Sequence, residues 1–192
     1  MIETKKMMIA GVGGQGVVYL TNLMVEAALI ADIPVATSEI HGLSQRGGSV
    51  TAVITFGENS YGFIEKGGAD FIIGLEPLEA QRSLPFLSPK SQVIIDDKQV
   101  YPFSVNSGKT VYPDVMVFVE FLKDKIAQII YNSEFDQDLN PLHRNLYILG
   151  KATNLDGFPL PVDSLEKAIA DMSKSQLRDE SVRVFRLGVD GD

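Results

Sequence analysis

The sequence contains no cysteine. Without a thiol there is no disulfide, no thiolate nucleophile and no ordinary thiolate ligation for an iron–sulfur cluster. Positive charge is also in short supply: 17 Lys and Arg stand against 25 Asp and Glu, a formal net charge of −8. That balance excludes nucleic acid as the main ligand, because phosphate backbones are bound by clustered Lys and Arg. It also repels an anionic membrane surface. A small anionic ligand stays open, since it needs only a local positive site. No apolar stretch approaches the roughly 18–20 residues that span a bilayer. Residues 1–6 run into a strand-like segment without a secretory apolar region. A soluble, cytoplasmic protein is expected. His41 and His143 are the only histidines, far apart and without HExxH spacing, so no metal site is expected.

What is present suits one domain. The 192 residues, 45% of them hydrophobic, can bury an ordinary core without staples. Residues 7–12 form a short apolar run ending in Gly11-Val12-Gly13-Gly14-Gln15-Gly16, a strand followed by a turn. Val17, Leu20, Met24, Ala27, Ala28 and Ala31 then recur at helical spacing, Pro34 marks the exit, and residues 35–38 read as a second buried strand. Together these make a βαβ unit. Residues 40–48 are too short for a further crossover helix, so residues 49–56 are expected to pair as a hairpin with residues 61–65 across a turn at Gly57-Glu58-Asn59-Ser60.

Residues 69–75 and 92–96 are further strands, with a short helix over 77–84 between them and a strand over 100–105 after them. Asn106-Ser107-Gly108-Lys109 is a turn, and Asp114 caps a helix that runs to residue 130. A helix over 141–153 follows. Asp163-Ser164-Leu165-Glu166 has capping-box spacing and opens a helix near Ala170, and residues 176–187 read as a docking helix. The expected fold class is α/β: one three-layer, Rossmann-like domain over 1–192, with a mixed, mostly parallel sheet and a helical C-terminal extension over about 160–192.

Two segments are candidate sites. Gly11, Gly13 and Gly16 satisfy the dinucleotide fingerprint between a strand and a helix, where glycines allow close backbone approach and free N–H groups attract an anion. Glu39 lies near the end of the second strand, where a ribose-binding acid would sit. Two features stand against a nucleotide site: no helix follows that strand, and the amide of Gln15 can reach a neighbouring loop or subunit. The bland reading is a structural turn. The second segment crowds His41, Ser44, Gln45, Arg46 and Ser49 among Gly42, Gly47 and Gly48. Arg46 can meet a carboxylate or phosphate with two parallel hydrogen bonds. Its bland reading is a surface loop with Arg46 paired to Glu39. Asp96 and Asp97 are neighbours on a strand and therefore face opposite ways, which argues against a catalytic pair. His143 reads as a capping or surface residue. No nucleophile–base arrangement emerges, and no catalytic residue is assigned.

Gly11-Val12-Gly13-Gly14-Gln15-Gly16, followed by Ser38-Glu39-Ile40-His41-Gly42-Leu43-Ser44-Gln45-Arg46-Gly47-Gly48-Ser49-Val50, resembles the gamma-type domain of 2-oxoacid:ferredoxin oxidoreductases. Asn106-Ser107-Gly108-Lys109 leading to Tyr112-Pro113-Asp114 resembles the small subunit of the indolepyruvate branch, as does Asn145-Leu146-Tyr147-Ile148-Leu149-Gly150. Phe185-Arg186-Leu187-Gly188 fits the family's ending. The resemblance implies a subunit supporting oxidative decarboxylation of a 2-oxoacid, with the acyl group passing to coenzyme A and electrons to ferredoxin. It implies that thiamine diphosphate, Mg and the iron–sulfur clusters reside on a large partner subunit. Gly11, Gly13, Gly14, Gln15 and Gly16, with Ser44, Gln45, Arg46, Gly47 and Gly48, would then form partner-facing or ligand-facing loops. The alternatives are a stand-alone NAD- or flavin-binding oxidoreductase, and a gamma subunit for pyruvate, 2-oxoglutarate or branched-chain oxoacids.

Overall fold

The computed structural model describes residues 3–191 except 42–47, 137–138 and 141–142, and only the backbone of His41. Its centre is a six-stranded sheet made by β1 (Lys5–Val12), β2 (Val35–His41), β3 (Ser49–Phe56), β4 (Phe71–Gly74), β5 (Gln92–Asp96) and β6 (Gln128–Asn132). The order across the sheet is β2-β3-β1-β4-β5-β6. β1, β4, β5 and β6 pair in parallel, while β3 runs antiparallel to both neighbours. The mixed, mostly parallel sheet is as expected.

Strand residues alternate between two cores, because successive side chains leave a strand on opposite faces. Met7 and Ile9 of β1, Phe71 and Ile73 of β4 and Ile94 of β5 enter one core. Met8, Ile72, Val93 and Ile95 enter the other. The first core is covered by α1 (Val17–Ile30), α5 (Arg144–Ala152), α6 (Val162–Met172) and α7 (Arg178–Asp190). The second lies under α2 (Pro77–Arg82) and α4 (Val115–Lys123), with the single turn α3 (Phe103–Asn106) between them in sequence. No helix among the described residues is long and apolar enough to cross a membrane.

The C-terminal helices dock on the chain itself, α6 against α1 and α7 against both α5 and α6. The α5–α7 crossing is close enough to need glycine. A Cβ placed on Gly150 would strike the Phe185 carbonyl, and one on Gly188 the Tyr147 carbonyl. The two late sequence motifs, ending in Gly150 and Gly188, are thus the two sides of one helix contact.

Several expectations fail for identifiable reasons. β3 makes its hairpin with β2, not with residues 61–65. Both edges of β3 are taken, by β1 and β2, so residues 61–65 cannot pair with it. They instead lie across the sheet, with Ile64 in the second core and the Ser38 hydroxyl donating to the Gly62 carbonyl at 2.6 Å. The expected strand over 100–105 is absent: the Val100 N–H donates to the Glu76 carboxylate, and Pro102 starts α3. Asp114 does cap α4, accepting from the Met116 and Val117 N–H groups, but the helix ends at Lys123. The apolar residues beyond it form β6 at the open edge of β5. Helix α6 begins at Val162 without a capping box; the Ser164 hydroxyl donates back to the Pro161 carbonyl.

Candidate functional site: the loops at the carboxyl ends of β1, β4 and β5

β1 leads to α1 on one face of the sheet, whereas β4 leads to α2 on the other. The chain therefore changes faces between β1 and β4, and in open α/β sheets ligands gather outside the strand ends at such a switch. The glycine loop lies there. Gly16 takes the left-handed conformation, φ 81°, that starts α1, and no side chain caps the helix. A Cβ at Gly16 would also meet the Asn145 amide nitrogen, which donates to the Gln15 carbonyl. Asn145 thereby ties the loop to the head of α5.

Gln15 folds back into the switch-point crevice. Its Oε1 accepts from the Val12 N–H at 2.9 Å, and its Nε2 donates to the Leu75 carbonyl at 2.9 Å. A Cβ on Gly11 would sit 3.0 Å from that Oε1, so the glycine leaves room for the amide. Gln15 does reach a neighbouring loop, the one after β4.

The second segment arrives beside the first. The Gly13 N–H donates to the Gly48 carbonyl at 2.9 Å, and Val12 stands opposite Ser49 in the β1–β3 register. Gly14 completes the turn between them. Ser44, Gln45, Arg46 and Gly47 lie outside the described residues, as does the side chain of His41.

Beyond the glycine loop is a cavity of about 270 Å³, bordered by Gly14, Gln15, Leu75, Lys98, Arg144 and Asn145. Arg144 is committed to Asp96, which is 2% exposed: its Nε and one terminal nitrogen each donate to the carboxylate at 2.6 Å. The Asn132 amide adds a third donor at 3.1 Å. Lys98 makes no ion pair among the described residues and so leaves the crevice a net positive group. Together with the uncapped start of α1, it suits an anion.

Asp97 points away from Asp96, as strand alternation requires, and lies beside Tyr131. Burial first, then that carboxylate, push the Tyr131 hydroxyl above the ordinary tyrosine range. On the same side, Glu76 is fully buried and accepts from the Glu79 and Val100 N–H groups and the Tyr112 hydroxyl. Tyr112 is also pushed up, by burial first and then by Glu76. These groups brace the loops after β4 and β5.

His143 is buried, and although it occupies the N-cap position of α5 its side chain makes no capping hydrogen bond. It is 4% exposed between α5 and α7, with Nε2 3.3 Å from the Ser181 hydroxyl. Sequence reasoning missed Lys98, Arg144 and Asn145 as site neighbours. Only Asn145 carried a signal, as the first residue of the motif that ends in Gly150. Nothing local shows that Arg144 will reach a strand end 48 residues earlier.

The topology bears on the dinucleotide reading. In dinucleotide folds β2 lies beside β1, which brings its terminal acid to the ribose. Here β3 separates them, so Glu39 stands one strand further from the glycine loop. With the Gln15 amide in the crevice, the fingerprint is met in sequence but not in arrangement.

A family model described as Pyruvate ferredoxin/flavodoxin oxidoreductase matches residues 6–191. The chain belongs to the pyruvate ferredoxin/flavodoxin oxidoreductase family. It is 38% identical over 184 residues to the Indolepyruvate oxidoreductase subunit IorB of Methanothermobacter thermautotrophicus, covering 94% of this chain and 93% of that one. The fold matches the gamma subunit of keto/oxoacid ferredoxin oxidoreductase from Geobacter sulfurreducens, with TM-score 0.69, 17% identity and coverage of 98% and 96% of the two chains. It also matches the pyruvate oxidoreductase subunit PORC of Thermotoga maritima, with TM-score 0.68, 20% identity and coverage of 98% and 97%. The resemblance read from the two glycine-bearing segments is borne out, and the chain is a subunit of an oxidoreductase of this family.

Proposed function

We propose that the chain, acting as one gamma-type domain, is the small subunit of an indolepyruvate-type 2-oxoacid:ferredoxin oxidoreductase. The observation that carries this reading is the 38% identity to an indolepyruvate oxidoreductase subunit over nearly the whole of both chains. The assembled enzyme decarboxylates an arylpyruvate, passes the acyl group to coenzyme A and sends electrons to ferredoxin. Thiamine diphosphate with its Mg, and the iron–sulfur clusters, belong to the large partner subunit. The lack of any cysteine in this chain fits that division, since no thiolate is available here to hold a cluster.

The chain's own contribution is a preformed edge. The Gly13–Gly48 hydrogen bond joins the two glycine-bearing segments at the carboxyl end of the sheet, and Gln15 and Asn145 tie the first of them to the loop after β4 and to the head of α5. Gly11, Gly13, Gly14, Gln15 and Gly16, with His41, Ser44, Gln45, Arg46, Gly47, Gly48 and Ser49, face the partner subunit in this reading. Lys98 and the start of α1 offer a positive site, and among the reaction's ligands the phosphates of coenzyme A suit it.

The test is reconstitution. Purified large subunit is mixed with increasing amounts of this chain, and arylpyruvate-dependent reduction of ferredoxin or viologen is followed. Activity should rise and saturate at a fixed ratio. Equal activity without this chain would overturn the proposal.

A further inference from the structure

α4 carries large apolar residues on both sides, interrupted on the outer one by the exposed Glu120–Lys123 ion pair at 2.6 Å. Val115, Phe118, Val119 and Leu122 are buried against the second core, yet Met116, Val117 and Phe121 are exposed. A surface helix ordinarily turns mostly polar residues outward, whereas here three of the outward residues are large and apolar. The segment before it repeats the pattern: Phe103 is 78% exposed and Val111 92%. A concentration of this kind marks an interaction surface rather than scattered exposed residues.

The surface has shape and charge as well. Between the excursion after β5 and the start of α4 runs an open groove of about 680 Å³, bordered by Tyr101, Val111, Met116 and Tyr131 among others. Its lining carries two carboxylates, Asp97 and Asp114, and no Lys or Arg. Asp114 accepts two backbone N–H groups of α4, and Asp97 accepts from the Gln99 amide at 3.3 Å. Among the described residues neither is paired with a cation. The walls are already fixed: the Tyr101 and Tyr112 rings pack at 5.1 Å, and Tyr112 is bonded to Glu76. Little ordering remains to oppose binding.

We infer that this surface docks a segment of the large partner subunit that combines apolar or aromatic anchors with Lys or Arg, the cation meeting Asp97 and Asp114. This rests on the subunit reading above. A second copy of the chain suits the surface poorly. A two-fold contact puts the same patch on both sides, and a groove lining without Lys or Arg offers a second copy's two carboxylates no cation, on a chain of net charge −8. Asp97 follows β5 at the carboxyl edge of the sheet, on the opposite side from Asp96 and the glycine loop. A partner holding both regions therefore wraps that edge.

The experiment measures binding of the full chain to the purified large subunit, for wild type and variants whose melting temperatures match it. Val111→Asp and Val117→Asp should each weaken binding about tenfold or more, as for central interface residues. Leu29→Asp, at the far end of α1 and 63% exposed, should change it less than about twofold. Asp97→Asn should lower affinity at low salt and flatten its salt dependence. Should an aspartate variant fail to fold, the uncharged Val111→Ser and Val117→Ser take its place, with a smaller loss expected. If wild type binds and the Val111 and Val117 variants bind equally well, the surface assignment is wrong and the subunit reading stands. If the variants disturb only self-association, the surface joins two copies and the proposal is overturned. If wild type itself does not bind the large subunit, the subunit reading fails and takes this inference with it.

Discussion

The two faces of the sheet are finished to different degrees. On the face of α1, α5, α6 and α7 the chain supplies its own cover, down to a glycine-to-glycine helix crossing and a buried ion pair. On the face of α2 and α4 it stops early, leaving Met116, Val117 and Phe121 of α4 exposed and the groove beside them open. Close packing in the first region marks what the chain must hold alone. The bare apolar surface of the second marks what another body covers. Substitutions should therefore act on stability on the closed face and on association on the open one.

The largest effect expected is at Arg144. Arg144→Ala leaves Asp96 buried without its cation, which costs about 3–5 kcal/mol and should appear as a large fall in denaturant midpoint. Gly150→Ala drives a methyl group into the Phe185 carbonyl, and the forced separation of α5 and α7 should cost about 1–3 kcal/mol in the same measurement. Gln15→Ala leaves the Val12 N–H and the Leu75 carbonyl without their partner. A loss of about 1–2 kcal/mol is expected, with reconstituted activity falling further than stability alone accounts for. A stable Gln15→Ala protein with unchanged activity would remove the glycine loop from the functional edge.

A smaller effect belongs to the braced loops. Tyr112 and Tyr131 hold their protons more tightly in the folded state than in the unfolded chain, where tyrosine titrates near ~10. Their contribution to stability is complete below about pH 10 and declines as pH rises beyond it. Tyr112→Phe should flatten the alkaline limb of the stability–pH curve. Smallest of all, Val117→Ser on the open face should alter stability by less than about 0.5 kcal/mol. A large destabilisation there would mean that the open face is structural after all, and the contrast between the faces would collapse.

Much of the fold was legible along the chain, because its signals are local. The apolar run into the glycine loop, the helical spacing from Val17 and the Asp114 cap all depend on neighbours within a turn or two, and all stand in the structure. The elements misread are those whose fate depends on distant strands. Residues 61–65 had a strand's composition but found both edges of β3 already taken, and residues 128–130 read as the end of a helix although β5 offers them an edge. For the site, the glycine loop and its neighbour were visible as two clusters of residue types. Their meeting through Gly13 and Gly48, and the arrival of Lys98 and Asn145, were not.

Composition and motif, taken by themselves, determined that this chain holds no thiolate-bound cluster, that it forms an α/β sheet opening on a glycine loop, and which family it resembles. These follow from which atoms are present and from contacts between near neighbours. Tertiary structure alone decided that β3 enters between β1 and β2, that Gln15 fills the crevice, and that one face is left bare. Each of these depends on which strand edges and surfaces remain once the rest of the chain has packed, and no short stretch of sequence contains that information.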